Sequence, residues 1–187
     1  MTEQDLVLEA RLGDSVAWEM IVHQHQESVF RLSYLLLGDP DDAQDIAQET
    51  FIRAFHALDR FDAQRPLRPW LLRIATNLSH NRRRSIARYL AALVRFSQET
   101  PQAFSSIDSG SLSEESEALW QALQRIKWQF RVVIYLRYFL EMSEAETAAA
   151  LGVAQGTVKS RMSRALSQLR EVIEQDYAFL KDWQDGT

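Results

Sequence analysis

Apolar residues recur every three to four positions along most of this chain, which is the spacing of one buried face of an α-helix. In the first half this pattern predicts helices over residues 6–10, 15–37, 39–57 and 67–85, and the stretch IARYLAALVRF can extend the last one to 96. Ser15 is expected to cap the second helix, and Gly38 with Pro40 to end it. The first half is therefore predicted to fold as an all-α bundle.

The second half continues the pattern and adds a motif. Helices are predicted over about 114–127 and 130–140. In the following stretch, SEAETAAALGVAQGTVKSRMSRALSQLREVI, Ser143 and Glu146 form a capping box that starts a short helix. Gly152 ends this helix, and a longer basic helix begins near Gln155. A short helix, a glycine turn and a basic helix are typical of a helix-turn-helix that binds DNA.

Residues 96–113, FSQETPQAFSSIDSGSLS, interrupt the helical pattern. They are rich in Ser, include Gly and Pro, and have no apolar period, which predicts a flexible linker between domains at 1–95 and 114–187. The whole chain has 6 Gly and 4 Pro, too few for the many turns of an all-β fold. We therefore expect an all-α protein made of two small helical domains.

Composition excludes several classes of protein. No apolar run approaches the roughly 20 residues that span a bilayer, and the N-terminus lacks the pattern of a signal peptide. The absence of Cys excludes disulfides and thiolate metal sites. We expect a cytoplasmic protein with no cofactor and no metal site.

Charge is unevenly distributed, although the formal net charge is only −5. Residues 63–98 contain eight arginines and no acid, and residues 148–170 contain four basic residues and no acid. Carboxylates concentrate instead between Asp39 and Glu49. Because the local field decides where a polyanion binds, the two basic segments predict two DNA contacts and a separate acidic face.

The basic helix over 155–170 has an apolar side and a side of small and basic residues. The residues expected to pack inward are Val158, Met162, Ala165, Leu166 and Leu169. The opposite side holds Gly156, Ser160, Ser163, Arg164 and Ser167, flanked by Lys159 and Arg161. Small residues let a helix enter the major groove, where Arg can bind guanine and flanking cations contact phosphates. A solvated surface helix would also account for the basic residues taken alone.

The segment LGVAQGTVKSRMSRAL resembles the region-4 helix-turn-helix of sigma factors, which recognises the minus-35 element of bacterial promoters. The resemblance implies DNA contacts by Lys159, Ser160, Arg161 and Arg164, with Thr157 near a phosphate. One departure is Ala154, where the family usually has a Ser N-cap, a loss that costs about 0.5–2 kcal/mol of helix stability. The preceding IKWQFRVVIYLRYFLEMS lacks the usual Leu-Pro and the Gly after Tyr-Phe, which leaves the geometry of that turn open.

The helix from 39 to 57 combines an apolar side with an acidic side. The inward residues are Ala43, Ile46, Ala47, Thr50, Phe51 and Ala54. The outward residues are Asp41, Asp45, Gln48, Glu49 and Ile52. A solvated face explains the carboxylates, but Ile52 among them favours a protein contact with an apolar centre and an acidic rim. The stretch DDAQDIAQETFIRAFHALDRF resembles sigma region 2.2, and the resemblance implies that this outward face binds a coiled coil on the largest subunits of RNA polymerase.

The helix RPWLLRIATNLSHNRRR is expected to bury Trp70, Leu71, Ile74 and Leu78. The residues expected to point outward are Arg73, Thr76, Asn77, His80 and Arg83, with Asn81 at an edge. Cations track phosphates and amides pair with base edges, which favours single-stranded DNA as the ligand. Arginines that complement the C-terminal dipole of the helix are the alternative. Trp70 is either a core residue or a stacking partner for a base.

This helix also resembles sigma regions 2.3 and 2.4, which capture the unpaired non-template strand of the minus-10 element. The family flips a base into a pocket between this helix and the preceding loop. The resemblance assigns that role to the loop Phe61–Arg68, with Asn77 and Asn81. Phe61 and the outward residues of the helix therefore form the expected minus-10 site.

Together the matches span about 6–95 and 114–175 and identify the chain as a member of the extracytoplasmic-function (ECF) group of the sigma-70 family. They imply a non-enzymatic protein that binds RNA polymerase core, promoter DNA and an anti-sigma factor, with no small-molecule substrate. The apolar segments IARYLAALVRF and YAFLKDW are either contacts for the anti-sigma factor or parts of the core.

Two other functions compete with this interpretation. An enzyme is disfavoured because His23 and His25 project to different faces, and His56 and His80 have no partner at ligand spacing. An ordinary regulator with a helix-turn-helix would explain the second domain. It leaves the basic helix that follows the acidic helix in the first domain unexplained.

Overall fold

The computed structural model describes the backbone of residues 1–96 and 114–176 and the side chains of residues 1–89 and 116–176. The predicted linker, apart from its first residue, and the C-terminal segment YAFLKDWQ lie outside the described residues.

All regular secondary structure in the described residues is helical, as predicted. In the first half the helices are α1 (Glu3–Arg11), α2 (Ser15–Leu37), α3 (Pro40–Ala57) and α4 (Leu67–Phe96), with a 3₁₀ helix at Leu58–Arg60. In the second half they are α5 (Glu114–Arg125), α6 (Trp128–Ile134), a π-helix (Tyr135–Phe139), α7 (Glu144–Leu151) and α8 (Gln155–Asp176). No helix in these two stretches is both long and apolar enough to cross a bilayer.

The first compact unit is a bundle of α2, α3 and α4, with α1 packed against α2. Its core is filled by the apolar faces that the sequence predicts. The fully or almost fully buried aliphatic residues include Leu6, Ile21, Leu32, Leu36, Leu67, Leu71 and Leu72. Burial of each such side chain contributes about 1.5–3 kcal/mol, so this core fixes which face of every helix points to solvent.

The helix boundaries of the bundle follow local capping chemistry. Asp14 caps α2, since its Oδ1 accepts hydrogen bonds from the amides of Val16 at 2.8 Å and Ala17 at 3.2 Å. The prediction that Ser15 is the cap was wrong by one residue, because the longer carboxylate of Asp14 reaches these amides. Gly38 ends α2 in the left-handed region at φ 77°, a conformation that glycine adopts without steric cost.

The second compact unit is built mainly from α5 to α8, with α8 packed on α5 and α6. Its core contains an arginine that the sequence pattern gives no reason to place there. Arg131 is 0% exposed, and its guanidinium donates to the backbone carbonyl of Gln124 at 3.2 Å and to the Gln124 side-chain oxygen. The guanidinium also lies 5.5 Å from the ring centroid of Trp128. It thus binds a carbonyl in the last turn of α5, where backbone carbonyls lack an intrahelical partner.

The turn before α7 lacks the glycine that sigma factors usually have after Tyr-Phe. Glu141 occupies that turn at φ 54°, and it is the only non-glycine residue at positive φ among the described residues. Two hydrogen bonds hold the turn, one from the Met142 amide to the Leu136 carbonyl at 3.0 Å and one from the Arg137 guanidinium to the Met142 carbonyl. A side chain in this conformation costs about 1–2 kcal/mol relative to glycine.

Replacing Glu141 by Gly should therefore stabilise the second unit. The relief of about 1–2 kcal/mol is partly offset by about 0.4–1 kcal/mol of extra entropy in the unfolded chain. We expect a net gain of about 0.5–1 kcal/mol in the free energy of unfolding, measured by urea denaturation.

Glu141→Ala is the matched control, because it removes the same carboxylate but keeps a Cβ. It should give no such gain. Equal stabilisation by both substitutions would show that the carboxylate, and not the backbone conformation, limits stability at this position.

Candidate functional site

The acidic face of α3 is exposed where the sequence predicts it. Its inward set is entirely buried, whereas Asp41, Asp45, Gln48 and Ile52 are exposed. Glu49 is half-buried and pairs with Arg53 at 2.6 Å. Ile52 is 46% exposed to solvent. Phe55 is 49% exposed, although it was not predicted to belong to this face. The apolar centre of this face is thus larger than one isoleucine. The one-turn spacing of the two residues is the sequence signal that could have revealed it.

A cleft of about 860 Å³ runs between α2 and α3 beside this face. Its aromatic and aliphatic lining includes Trp18, Val22, Phe30, Phe51, Ile52 and Phe55. The ring of Trp18 meets the ring of Phe55 edge-on, with centroids 5.2 Å apart. An apolar cleft next to carboxylates is a surface that suits another helix with an apolar ridge and basic flanks.

An ion pair joins the acidic helix to the arginine helix. Arg82 Nε lies 2.9 Å from Oδ1 of Asp42, and this contact raises the pKa of the Arg82 guanidinium. Arg82 therefore links α4 to α3 through an exposed ion pair, and Arg83 and Arg84 are exposed as well. Sequence alone gives three equivalent arginines in a row, and only the packing of the two helices brings Arg82 next to Asp42.

Most of the residues predicted for the minus-10 site lie on the exposed side of α4. Arg73, Asn77 and Asn81 are exposed at intervals of one turn, Arg83 is exposed, and His80 is half-buried. The three residues at one-turn spacing form a single polar stripe. Cations and amides on one stripe can contact successive phosphates and bases of an extended strand.

Thr76 does not belong to this stripe, so the prediction that it points outward was wrong. It is only 8% exposed, and its Oγ1 donates to the Leu72 carbonyl at 2.7 Å. A threonine can lie on the inner edge of a helix because its hydroxyl bonds to the carbonyl one turn earlier. Ser79, at 0% exposure, lies one turn beyond it.

The loop before α4 carries an aromatic pair. Phe61 is buried, and its ring centroid lies 4.6 Å from that of Trp70, with the planes tilted by 34°. Trp70 itself is half-buried. Phe61 thus packs against Trp70 in the first turn of α4, and part of Trp70 remains accessible.

The helix-turn-helix of the second unit has the predicted geometry. Ser143 and Glu146 form the capping box, with the Ser143 amide donating to the Glu146 carboxylate at 2.8 Å and the Glu146 amide donating to Ser143 Oγ at 3.2 Å. Gly152 turns the chain at φ 64°. Lys159 Nζ lies 3.6 Å from the Glu144 carboxylate, which links the two helices of the motif.

The outer side of α8 is exposed as predicted. Its exposed residues include Gly156, Lys159, Ser160, Ser163, Arg164 and Ser167, and Thr157 and Arg161 are half-buried. Leu166 was predicted to pack inward but is 40% exposed. Val158 and Ala165 are buried two turns apart on one line, and Leu166 lies about 100° from that line, at the edge of the interface.

The histidines occupy different environments. His23 is exposed, whereas His25 is buried, with Nε2 3.4 Å from Oε1 of Glu3. Burial lowers the pKa of His25, and the nearby Glu3 carboxylate opposes this shift. Within the described parts of the chain no three His, Cys, Asp or Glu side chains are grouped so as to hold a metal ion.

In a comparison with known proteins, each half of the chain matches a protein-family model. Residues 21–89 match the family model for sigma-70 region 2, and residues 116–169 match that for sigma-70 region 4. The chain is 33% identical over 174 residues to the ECF RNA polymerase sigma factor SigW of Bacillus subtilis, covering 88% of this chain and 93% of that protein.

Two solved structures are also similar. CnrH, in complex with the cytosolic domain of CnrY, matches with a TM-score of 0.69 and 28% identity, covering 93% of this chain and 98% of CnrH. The sigma factor RpoE of Bartonella quintana, in complex with the anti-sigma factor NepR, matches with a TM-score of 0.65 and 26% identity, covering 84% of this chain and 97% of RpoE. The chain therefore belongs to the ECF group of sigma-70 factors, non-catalytic RNA polymerase subunits that bind the core enzyme and promoter DNA and direct transcription initiation.

Proposed function

We propose that the two domains of this sigma factor have different binding functions. Residues 1–95 bind the polymerase core and the minus-10 element, residues 114–187 bind the minus-35 element, and 96–113 connect them. The observation that carries this proposal is the segregation of exposed charge: a carboxylate face on α3 and separate basic faces on α4 and α8. A polyanion is attracted to the two basic faces and repelled by the acidic one.

The core-binding surface consists of the α3 face around Ile52. Its members are Asp41, Asp45, Gln48, Glu49 and Ile52, extended by Phe55. The exposure of Ile52 and Phe55 beside an apolar cleft supports this role, since desolvated apolar groups dominate the affinity of protein interfaces. The surrounding carboxylates set the register and speed association with a basic partner.

The minus-10 surface is the exposed stripe of α4 with the loop before it. Arg73 and Arg83 contact phosphates, whereas Asn77 and Asn81 contact bases, with His80 at the edge of the stripe. Phe61 contributes indirectly, because it is buried and its ring packs against Trp70. Amide side chains suit unpaired bases, whose hydrogen-bonding edges are free only in single-stranded DNA.

The minus-35 surface is the outer side of α8. Ser160 lies between Lys159 and Arg161, and Arg164 follows one turn later. Lys159 and Arg161 contact phosphates, Arg164 reads a base edge, and Thr157 binds a phosphate near the start of the helix. The small exposed side chains of Gly156 and Ser163 support insertion of α8 into the major groove, because they leave room for the bases.

We also propose that an anti-sigma factor regulates this protein in the cytoplasm. CnrH and RpoE of Bartonella quintana were both crystallised with a partner protein, and NepR is named as an anti-sigma factor. The apolar cleft between α2 and α3 offers such an inhibitor the surface that the polymerase would use. Purification from the native cell with polymerase as the only stoichiometric partner would contradict this regulation.

The core-binding assignment is tested by run-off transcription. The purified chain should make core polymerase initiate at its promoters. In vitro selection with the holoenzyme identifies these promoters.

Glu49→Lys places a cation in the acidic rim and should weaken core binding by about tenfold or more, which corresponds to about 1.4 kcal/mol. Binding is measured by fluorescence anisotropy of the labelled sigma factor.

Glu174→Lys is the matched control, because it makes the same charge change at an exposed position of α8 beyond the proposed faces. It should bind core like the unmodified protein. A protein that binds promoter DNA but never makes core initiate would instead be an ordinary regulator.

The minus-10 assignment is tested by comparing two neighbours on α4. Asn77→Ala removes an exposed amide and should weaken binding of the holoenzyme to a single-stranded non-template minus-10 oligonucleotide by about tenfold. Thr76→Val is nearly isosteric and buried, so it should change this affinity less than about twofold. The assignment fails if the two variants lose the same affinity.

The minus-35 assignment is tested at Arg164. Arg164→Ala should cost about 1–3 kcal/mol of promoter binding and relax base preference at one minus-35 position. Arg170→Ala, an exposed arginine nearer the C-terminal end of α8, should leave preference at every position unchanged. Selection from a promoter pool randomised at the minus-35 element measures both variants.

A further inference from the structure

α1 lies outside the part of the chain that matches sigma-70 region 2, which begins at residue 21. It is nevertheless a well-formed helix, with a capping box between Thr2 and Asp5 and a buried apolar side of Leu6, Val7 and Ala10. Its packing on α2 places one end of α1 near each end of the segment Leu58–Leu67. This segment contains the loop proposed to take part in minus-10 capture.

The C-terminal end of α1 holds the beginning of this segment. Arg11 Nε donates to the Leu58 carbonyl at 3.0 Å, and its Nη2 donates to the Phe61 carbonyl. One guanidinium therefore bridges the first residue of the 3₁₀ helix and the residue that follows it. The fixed fork of the guanidinium presents two donors at once, which a lysine cannot do.

The N-terminal end of α1 holds the end of the segment. Oε2 of Glu3 accepts a hydrogen bond from the amide of Leu67, the first residue of α4, at 2.8 Å. The other carboxylate oxygen lies 3.4 Å from Nε2 of the buried His25, which limits the movement of the side chain. A carboxylate at this place satisfies an unpaired amide and complements the positive end of the helix dipole.

Glu3 and Arg11 lie eight residues apart on α1, a rise of about 12 Å. They thus hold the two ends of the 61–67 loop from one rigid helix. Both bind main-chain atoms, so they fix the path of the loop independently of its side chains. Within the loop the bonds are short-range, from the Gln64 amide to the Asp62 carboxylate at 3.1 Å and from the Arg65 amide to the Asp62 carbonyl at 2.9 Å.

We propose that Glu3 and Arg11 are positioning residues for minus-10 capture, which hold the 61–67 loop in its DNA-binding conformation before DNA arrives. A loop that is ordered in advance loses less conformational entropy on binding, which raises affinity. A pocket of fixed shape also cannot adjust to a mismatched base, which raises discrimination. The inference rests on the proposed minus-10 role of this loop. Both residues act through main-chain atoms of the protein.

The test uses the full chain assembled with core polymerase. Arg11→Gln removes the bridge, and Glu3→Ala removes the acceptor for the Leu67 amide. Each variant should lose about tenfold in discrimination between matched and mismatched minus-10 oligonucleotides, with core affinity and minus-35 duplex affinity unchanged within about twofold. Glu3→Gln retains an acceptor oxygen and should restore most of the discrimination.

Arg125→Gln is the matched control, because Arg125 also joins two elements through its guanidinium, α5 to Asp176 of α8. It should leave minus-10 discrimination intact. If Arg11→Gln does not fold, Arg11→Lys keeps the charge and most of the packing and should still lose part of the discrimination, since one amine cannot replace the fork.

Full discrimination in a folded Arg11→Gln or Arg11→Lys protein overturns the inference. So does a loss that affects core, minus-35 and minus-10 binding equally, because that indicates general instability. A wild-type holoenzyme that does not discriminate at all overturns the minus-10 assignment itself. If the wild-type holoenzyme discriminates and the variants discriminate equally well, the positioning role is wrong but the minus-10 assignment stands.

Discussion

The packing of the apolar side of α4 against α2 and α3 is the interaction on which the first unit depends. Leu67, Leu71 and Leu78 are buried there, and their burial fixes the rotation of α4 about its axis. The stripe of Arg73, Asn77 and Asn81 is exposed because the leucines are not. A rotation of α4 by one residue, about 100°, would bury these polar groups at a cost of several kcal/mol. The DNA-binding face is therefore a consequence of the core.

Electrostatics then divides the surface that the core defines. An overall charge of −5 would disfavour DNA, but the carboxylates concentrate on α3 and the cations on α4 and α8. The pair Arg82–Asp42 joins the two kinds of helix where they meet in the first unit. An acidic surface for a protein and a basic surface for DNA can thus coexist in one small bundle, because each acts over roughly the Debye length of 8 Å at physiological salt.

In the second unit two residues that precede the helix-turn-helix are unusual for their positions, a charged residue in the core and a non-glycine residue at positive φ. The buried guanidinium of Arg131 closes the end of α5, and Glu141 makes a turn that a glycine would make with less strain. Both residues lie before the helix-turn-helix, and neither is on its exposed face. The motif tolerates these departures because its geometry is fixed by the capping box at Ser143, the turn at Gly152 and the buried Val158.

The sequence by itself determined the helices, the helix-turn-helix and the side of each helix that is buried, because helical periodicity and capping are local and leave a direct trace in residue order. The buried set of α3 was predicted without error. Of the five residues predicted to pack inward on α8, Val158 and Ala165 are buried, Met162 and Leu169 are half-buried, and Leu166 is exposed. Only the tertiary structure decided what depends on contacts between distant residues. It paired Arg82 with Asp42, moved Thr76 into the core, added Phe55 to the α3 face and placed Glu3 and Arg11 at the two ends of the 61–67 loop. The contacts of Arg82, Arg11 and Glu3 join residues 40 to 64 positions apart. The burial of Thr76 and the exposure of Phe55 depend on how wide the packed face of a helix is, and helical periodicity does not give that width.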